Sequence, residues 1–328
     1  MFAGFLNKGI RGSLVLLALL FLSSALLLYF APENLEFNNY PNLFYNYFSK
    51  KINNKLIIIL LNFLFLGIGV ILISLISVRQ EITDKLNYFP VFIFLMLGIA
   101  CVNPKEITPQ IFTNVFVLFS IYKLLNTYRK EHILNDLFEA AFWLSISAYI
   151  TISSIISFPL FFIILLILRP FYWREWVIAL IGFSSPILIC EGIAYLSDFT
   201  VGYLFKSTAL FFQFLTPPSI SEYFFPLFAI LTVTLVISLL NNLMHGFGNT
   251  VKKQRTKIIL LWHLFFSVFG FFSGGANSSS IILTFAFPLS FFIGDYLFSI
   301  KQKKITNTIL VFFLLCIAVI IFGQFKLI

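Results

Sequence analysis

Apolar residues in this chain come in unbroken runs. They show neither the in-and-out alternation of half-buried strands nor the single stripe of a surface helix. Eleven runs can be read, at about 13–30, 56–77, 88–102, 110–126, 137–152, 154–168, 176–197, 222–243, 258–274, 279–299 and 307–325. Most reach the roughly 17 to 25 residues that a helix needs to cross a bilayer. Hydrocarbon offers backbone polar groups no partner except one another, so only helices and closed barrels span it, and continuous runs select helices. The pattern predicts an all-α polytopic transmembrane bundle of about eleven spans.

Two segments depart from the pattern. Ser197 to Leu215, "SDFTVGYLFKSTALFFQFL", is amphipathic and is expected to lie on the outer surface instead of crossing it. "TPPS", Thr216 to Ser219, then breaks the chain. Together they divide it into a seven-span module, 1–215, and a four-span module, 216–328. The first run follows Lys8 and Arg11 and imitates a signal peptide. At 18 residues it exceeds a cleaved apolar core and has no small-x-small site after it, so it is read as the first span.

Composition agrees: 60% of the 328 residues are hydrophobic and 11% charged, against about 25% charged in soluble domains. The net charge of +9 does not point to nucleic acid, because the basic residues sit between runs and form no groove-sized stripe. They fix orientation instead. With the N-terminus in the cytoplasm, 16 of the 22 Lys and Arg residues fall on the inner side, leaving Lys50, Lys51, Lys55, Lys105, Lys206 and Lys326 outside. This predicts a multi-pass protein of the inner (plasma) membrane with its C-terminus on the periplasmic side, in contact with membrane lipid.

On that threading "LRPFYWREW", Leu168 to Trp176, is a tight cytoplasmic turn. Pro170 ends one span, and Phe171, Tyr172, Trp173 and Trp176 form an interfacial belt. Arg169 and Arg174 anchor the turn, and paired arginines also suit a phosphate or a protein partner docking there. Cys101, Cys190 and Cys316 lie in apolar surroundings without C-x-x-C spacing and read as buried hydrophobes.

Enzyme signatures are few. The chain has no G-x-x-x-x-G-K-[ST], no H-E-x-x-H and no G-x-S-x-G, and "GFG" at Gly246 to Gly248 lacks the third glycine of a dinucleotide turn. These motifs leave the cofactor unknown and single out no metal site. Of the three histidines only His263 lies within a span. A carboxylate in mid-membrane costs about 2.5–3.5 kcal/mol on insertion scales, so acidic residues near the runs carry information. Glu139 and Asp295 fit interfacial charges. Glu191 is fifteen or so residues beyond the inner turn and is expected to face a polar cavity, with Asp198 two turns above it. In the first outer loop, Ala31 to Lys55, Glu33 and Glu36 are the candidates for a general base, in company with Lys105 and Glu106 of the second outer loop, "NPKEITPQ".

The stretch "ILRPFYWREWVIALIGFSSPIL", with the preceding "NDLFEAAFWLSISAYITISSIISFPLFFIILL", resembles a family of Phe-rich polytopic membrane proteins of Bacteroidota that share an R-P-F-x-W-R-E-W turn. That family brings no established activity with it. In architecture the chain is also similar to the seven-span module of GT-C glycosyltransferases. It shares an acidic first outer loop, the loop "NPKEITPQIFTNVFVLF" and short paired spans. This resemblance implies a transferase taking a sugar from a polyprenyl-phosphate carrier at the outer face, with Glu33 or Glu36 as catalytic base or metal ligand and Lys105, Glu106, Glu191 and Asp198 towards the substrate. The first outer loop is short for such an enzyme, and Ser153 to Ser157 carry no basic residue for a lipid phosphate. Two other expectations compete with it: a noncatalytic scaffold docking a partner through Arg169 to Trp176, and a transporter of a lipid or small solute using Glu191 and His263.

Overall fold

A computed structural model describes residues 24, 54–80, 87–102, 107–196, 221–245, 250–271, 278–300 and 302–326. Glu33, Glu36, Lys105, Glu106 and Asp198, the segment 197–215 and the break at 216–219 lie outside them. Among the described residues the chain is all-helical, and ten α-helices are formed.

They are α1 (Lys55–Arg79), α2 (Phe89–Cys101), α3 (Pro109–Leu125), α4 (Leu134–Ile150), α5 (Ser157–Leu168), α6 (Trp173–Leu196), α7 (Phe225–His245), α8 (Val251–Phe271), α9 (Ser278–Ser299) and α10 (Lys303–Lys326). Short 3-10 turns precede α5, at Ile152–Ile156, and α7, at Glu222–Phe224. Each α-helix grows from one of the apolar runs. Five stretches, Lys55–Arg79, Trp173–Leu196, Glu222–Met244, Ile282–Ser299 and Lys303–Ile321, are long and apolar enough to cross a membrane; α2, α3 and Ser153–Leu168 are apolar but shorter.

Local sequence sets the helix starts. The Asn54 side chain accepts from the Leu56 N–H at 3.0 Å and caps α1, and Asn87 does the same for Phe89 at the start of α2. Pro90 and Pro109 stand in first turns, where a missing N–H costs nothing. Asn62, fully buried on α1, accepts from the Thr108 N–H at 3.0 Å and so fixes the beginning of α3 against α1.

The short helix α2 forms the axis of the bundle, with all thirteen residues buried. Along it run α9, α1 and α10, and α3 links this group to α4, which in turn carries α6. At the closest approach Gly294 of α9 meets Pro90, whose ring and backbone nitrogen would stand 2.6 to 2.7 Å from any Cβ added there. The core is continuous across the boundary at residue 216, because α9 of the C-terminal half packs on α2 of the N-terminal half.

Basic residues of distant segments meet at one end of the bundle. The Lys252 ammonium donates to the Arg79 carbonyl at 2.6 Å, and Arg255 donates to the Leu168 carbonyl at 3.0 Å. These carbonyls close α1 and α5, where the last turn leaves oxygens without helical partners and the helix dipole favours a cation. Arg255 and Arg79 also lie over the rings of Tyr128 and Tyr122, at 5.4 and 5.2 Å.

Candidate functional site

The sequence-predicted arginines separate. Arg169 turns into the basic end, where its Nη1 donates to the Thr127 carbonyl at 3.3 Å and the Lys130 carbonyl at 2.5 Å, while its Nε faces Glu175 at 3.5 Å. Through Nη1 it ties the α3–α4 connection to the α5–α6 turn. Arg174 is exposed, beside the exposed Trp173 ring 5.7 Å away. Glu139 pairs with Lys123 at 2.5 Å at the same basic end. Glu191 sits half-buried on α6, near exposed Leu188, Ile189 and Ile193, and is not among the residues that line the cavity described next.

Ten polar and four apolar side chains line a crevice between α3, the 3-10 turn, α5, α8 and α9, at the end of the bundle away from the basic residues. Its space for water-sized molecules is about 40 Å³, enough for a group of a few heavy atoms. The walls come from several elements. The first turns of α3 give Gln110, Thr113 and Asn114, the 3-10 turn gives Ser153 and Ser154, and α8 gives His263 and Ser267.

Hydrogen bonding orients this lining. Thr151 donates to the Thr113 hydroxyl at 2.8 Å, Thr113 to the Pro109 carbonyl at 3.0 Å, and Ser154 to the Thr151 carbonyl at 2.8 Å. Ser267 donates to the His263 carbonyl at 2.8 Å and approaches that of Thr284 at 3.3 Å, and Asn114 donates one N–H to the Leu283 carbonyl at 2.8 Å. A hydroxyl has one proton and two lone pairs, so Thr113, Thr151, Ser154 and Ser267 have given their protons to the scaffold and keep acceptor capacity, while the Asn114 amide keeps a second N–H. His263 is only 5% exposed, and its Nδ1, itself closed off from solvent, has no hydrogen-bond partner among the described residues. With acceptor oxygens from the hydroxyls and donors from the Asn114 and Gln110 amides, the crevice fits an uncharged group that both donates and accepts hydrogen bonds, such as the hydroxyls of a polyol or sugar.

A second polar centre lies further along the α8–α9 seam, towards the basic end. The Lys257 ammonium meets the Asp295 carboxylate at 2.8 Å and donates to the Asn242 side-chain oxygen of α7 at 2.6 Å. Asn242 donates in turn to the Ser238 carbonyl at 2.9 Å, and Ser238 donates to the Phe292 carbonyl at 2.5 Å. Sequence reading placed Asp295 at the interface and Lys257 in an inner loop. The charge run "KKQRTK" ends the apolar segment, but α8 already begins at Val251, so Lys257 is carried a turn and a half into the bundle. The lining hydroxyls were missed because a serine or threonine inside an apolar run ordinarily bonds its own helix. The one sequence signal for the crevice was His263.

Among the described residues no three metal-ligating side chains come together. No family model, curated protein or solved structure matches this chain.

Proposed function

We propose that the protein is an eleven-span inner-membrane carrier, N-terminus cytoplasmic, that takes a small uncharged, hydroxyl-bearing solute into the crevice between α3, α8 and α9. The observation that carries this reading is the lining. Oriented hydroxyl oxygens, and a His263 nitrogen without a hydrogen-bond partner among the described residues, stand inside an apolar bundle, where polar groups are costly and accumulate around a ligand path. The buried Lys257–Asp295 pair on the same seam favours movement of a solute over chemistry on it. In a GT-C-like transferase the same crevice would seat an acceptor sugar at the start of α3, which follows the second outer loop; that alternative needs Glu33 or Glu36 as its base.

The test is permeation. Full-length protein in phospholipid vesicles is mixed rapidly with erythritol, and swelling is followed by light scattering. Wild-type vesicles swell faster than protein-free ones, and Asn114→Leu and His263→Leu return the rate to that of bare lipid. Wild-type vesicles no more permeable than bare lipid would remove the carrier reading.

A further inference from the structure

The α8–α9 seam has two polar stations with an aromatic plug between them. At one station Ser267 and His263 lie against Thr284. At the other Lys257 meets Asp295, eleven residues further along α9, or about 16 Å at ~1.5 Å per residue. Between them stand Phe287 and Phe291, both 1% exposed, their centroids 5.4 Å apart, with Phe287 edge-on to the His263 ring at 5.3 Å.

Stability alone does not account for the charged station. A buried ion pair gains little over well-packed apolar residues of the same volume, because both charges must leave water. Here the side chains are 6% and 15% exposed. The contact has two further properties. At 2.8 Å it is short enough for a proton to pass directly between nitrogen and oxygen. Asn242 also takes a second N–H of the same ammonium, so Lys257 keeps a partner whichever way Asp295 is protonated.

Among the described residues, the polar and ionisable groups of the helices packed around the pair are the following. From α7 it is faced by Asn242 and Ser238, and on α8 the neighbouring Thr256 hydroxyl is bonded to the Lys252 carbonyl. Along α9, the buried helix α2 has Cys101 as its one ionisable side chain, at the end remote from Pro90 and Gly294. On α3, Lys123 is engaged by Glu139 and Asp136, and Lys303 and Lys304 of α10 are exposed.

We propose that Lys257 and Asp295 form a proton-carrying site that couples proton movement to passage of the solute through the crevice, an assignment that rests on the carrier reading. A proton arriving from one aqueous phase adds to an Asp295 carboxylate oxygen. Lys257 releases one of its three ammonium protons to the other phase, leaving a neutral amine beside a neutral acid. Transfer of the Asp295 proton to the Lys257 nitrogen then restores the ion pair. One proton has crossed, and the completed exchange leaves no unpaired charge in the bundle. While the pair is neutral the electrostatic tie between α8 and α9 is released, which lets the seam open past Phe287 and Phe291.

Vesicles containing full-length protein and the pH dye pyranine are given an inward proton gradient, with the potential clamped by potassium and valinomycin, and with or without external erythritol. Swelling is read in parallel. Wild-type vesicles acidify faster when erythritol is present, and Asp295→Asn loses that increment. Because Asp295→Asn leaves the Lys257 charge without its carboxylate counter-ion, the neutral double variant Lys257→Gln/Asp295→Asn is the folding control, and it must lose the increment too. Erythritol entry into wild-type vesicles without added acidification, or an increment that survives in the double variant, overturns the proton role and leaves the carrier reading standing. Absence of erythritol entry in wild type overturns both.

Discussion

The helices α2 and α6 are made of similar apolar residues and live in opposite surroundings. In α2 every one of thirteen residues is buried, whereas in the twenty-four-residue α6 only Glu175, Ala179, Gly182 and Pro186 are. Apolar content therefore does not tell the axis of the bundle from its edge. What differs is how each meets its neighbours. α2 fills space on all sides with Phe, Leu, Ile and Met. α6 buries only small residues in its middle, Ala179 and Gly182, with Gly182 set against the Phe138 backbone and Ala141 of α4; it adds aromatic contacts to α5 through Trp176 and Phe183, and turns Leu180, Ile181, Leu188, Ile189 and Ile193 outward. Close backbone approach through small residues is how helices associate where lipid is as apolar as the side chains.

The largest expected effect tests the axis. Phe92 is fully buried in α2, so Phe92→Ala opens a cavity on a helix with no solvent face and should cost about 3 to 5 kcal/mol, read as a lowered thermal unfolding midpoint in detergent micelles. Next come the two glycine contacts. In Gly294→Ala the new methyl meets the rigid Pro90 ring and backbone nitrogen, and in Gly182→Ala it meets the Phe138 carbonyl oxygen at 2.7 Å. Overpacking of this kind costs about 1 to 3 kcal/mol. Gly294→Ala should lie at the upper end, since α9 is hemmed in by several helices, and Gly182→Ala at the lower, since α6 can move outward. A larger loss from Gly182→Ala than from Gly294→Ala would contradict the ranking of axis over edge. The smallest effect belongs to Gly192→Ala, ten residues further along α6, where an added Cβ meets nothing within 4 Å. Its midpoint should stay unchanged or rise, within about 0.5 to 1 kcal/mol, because only helix propensity changes. A clear destabilisation there would mean that the outward face of α6 is covered.

Much of the fold was legible because the signal is one-dimensional. Apolar runs must begin and end where the chain enters and leaves its apolar surroundings, so each of the ten described helices grows from a predicted run. The sorting of basic residues was legible for a related reason. Lys252, Arg255 and Arg169, predicted to share a side, do meet at one end, where helix carbonyls need donors. The site was less legible. Glu191 drew attention by its depth, yet it lies on the edge helix. Lys257, which pairs with Asp295, was hidden in a charge run that reads as a solvated loop. Thr113 and Thr151 come together from two helix ends, and nothing in either local sequence records the other.

The sequence by itself determined that the chain is helical, where its helices lie, and which connections carry the positive charge, since those properties follow from composition along a line. Tertiary structure alone decided which side of each helix faces inward, that Lys257 meets Asp295, and that ten polar side chains surround one small space. The physical reason is that a helix apolar on every side has no periodic mark of its direction. Its orientation is chosen by shape at contacts such as Gly294 on Pro90, and those contacts join residues that are far apart in the chain.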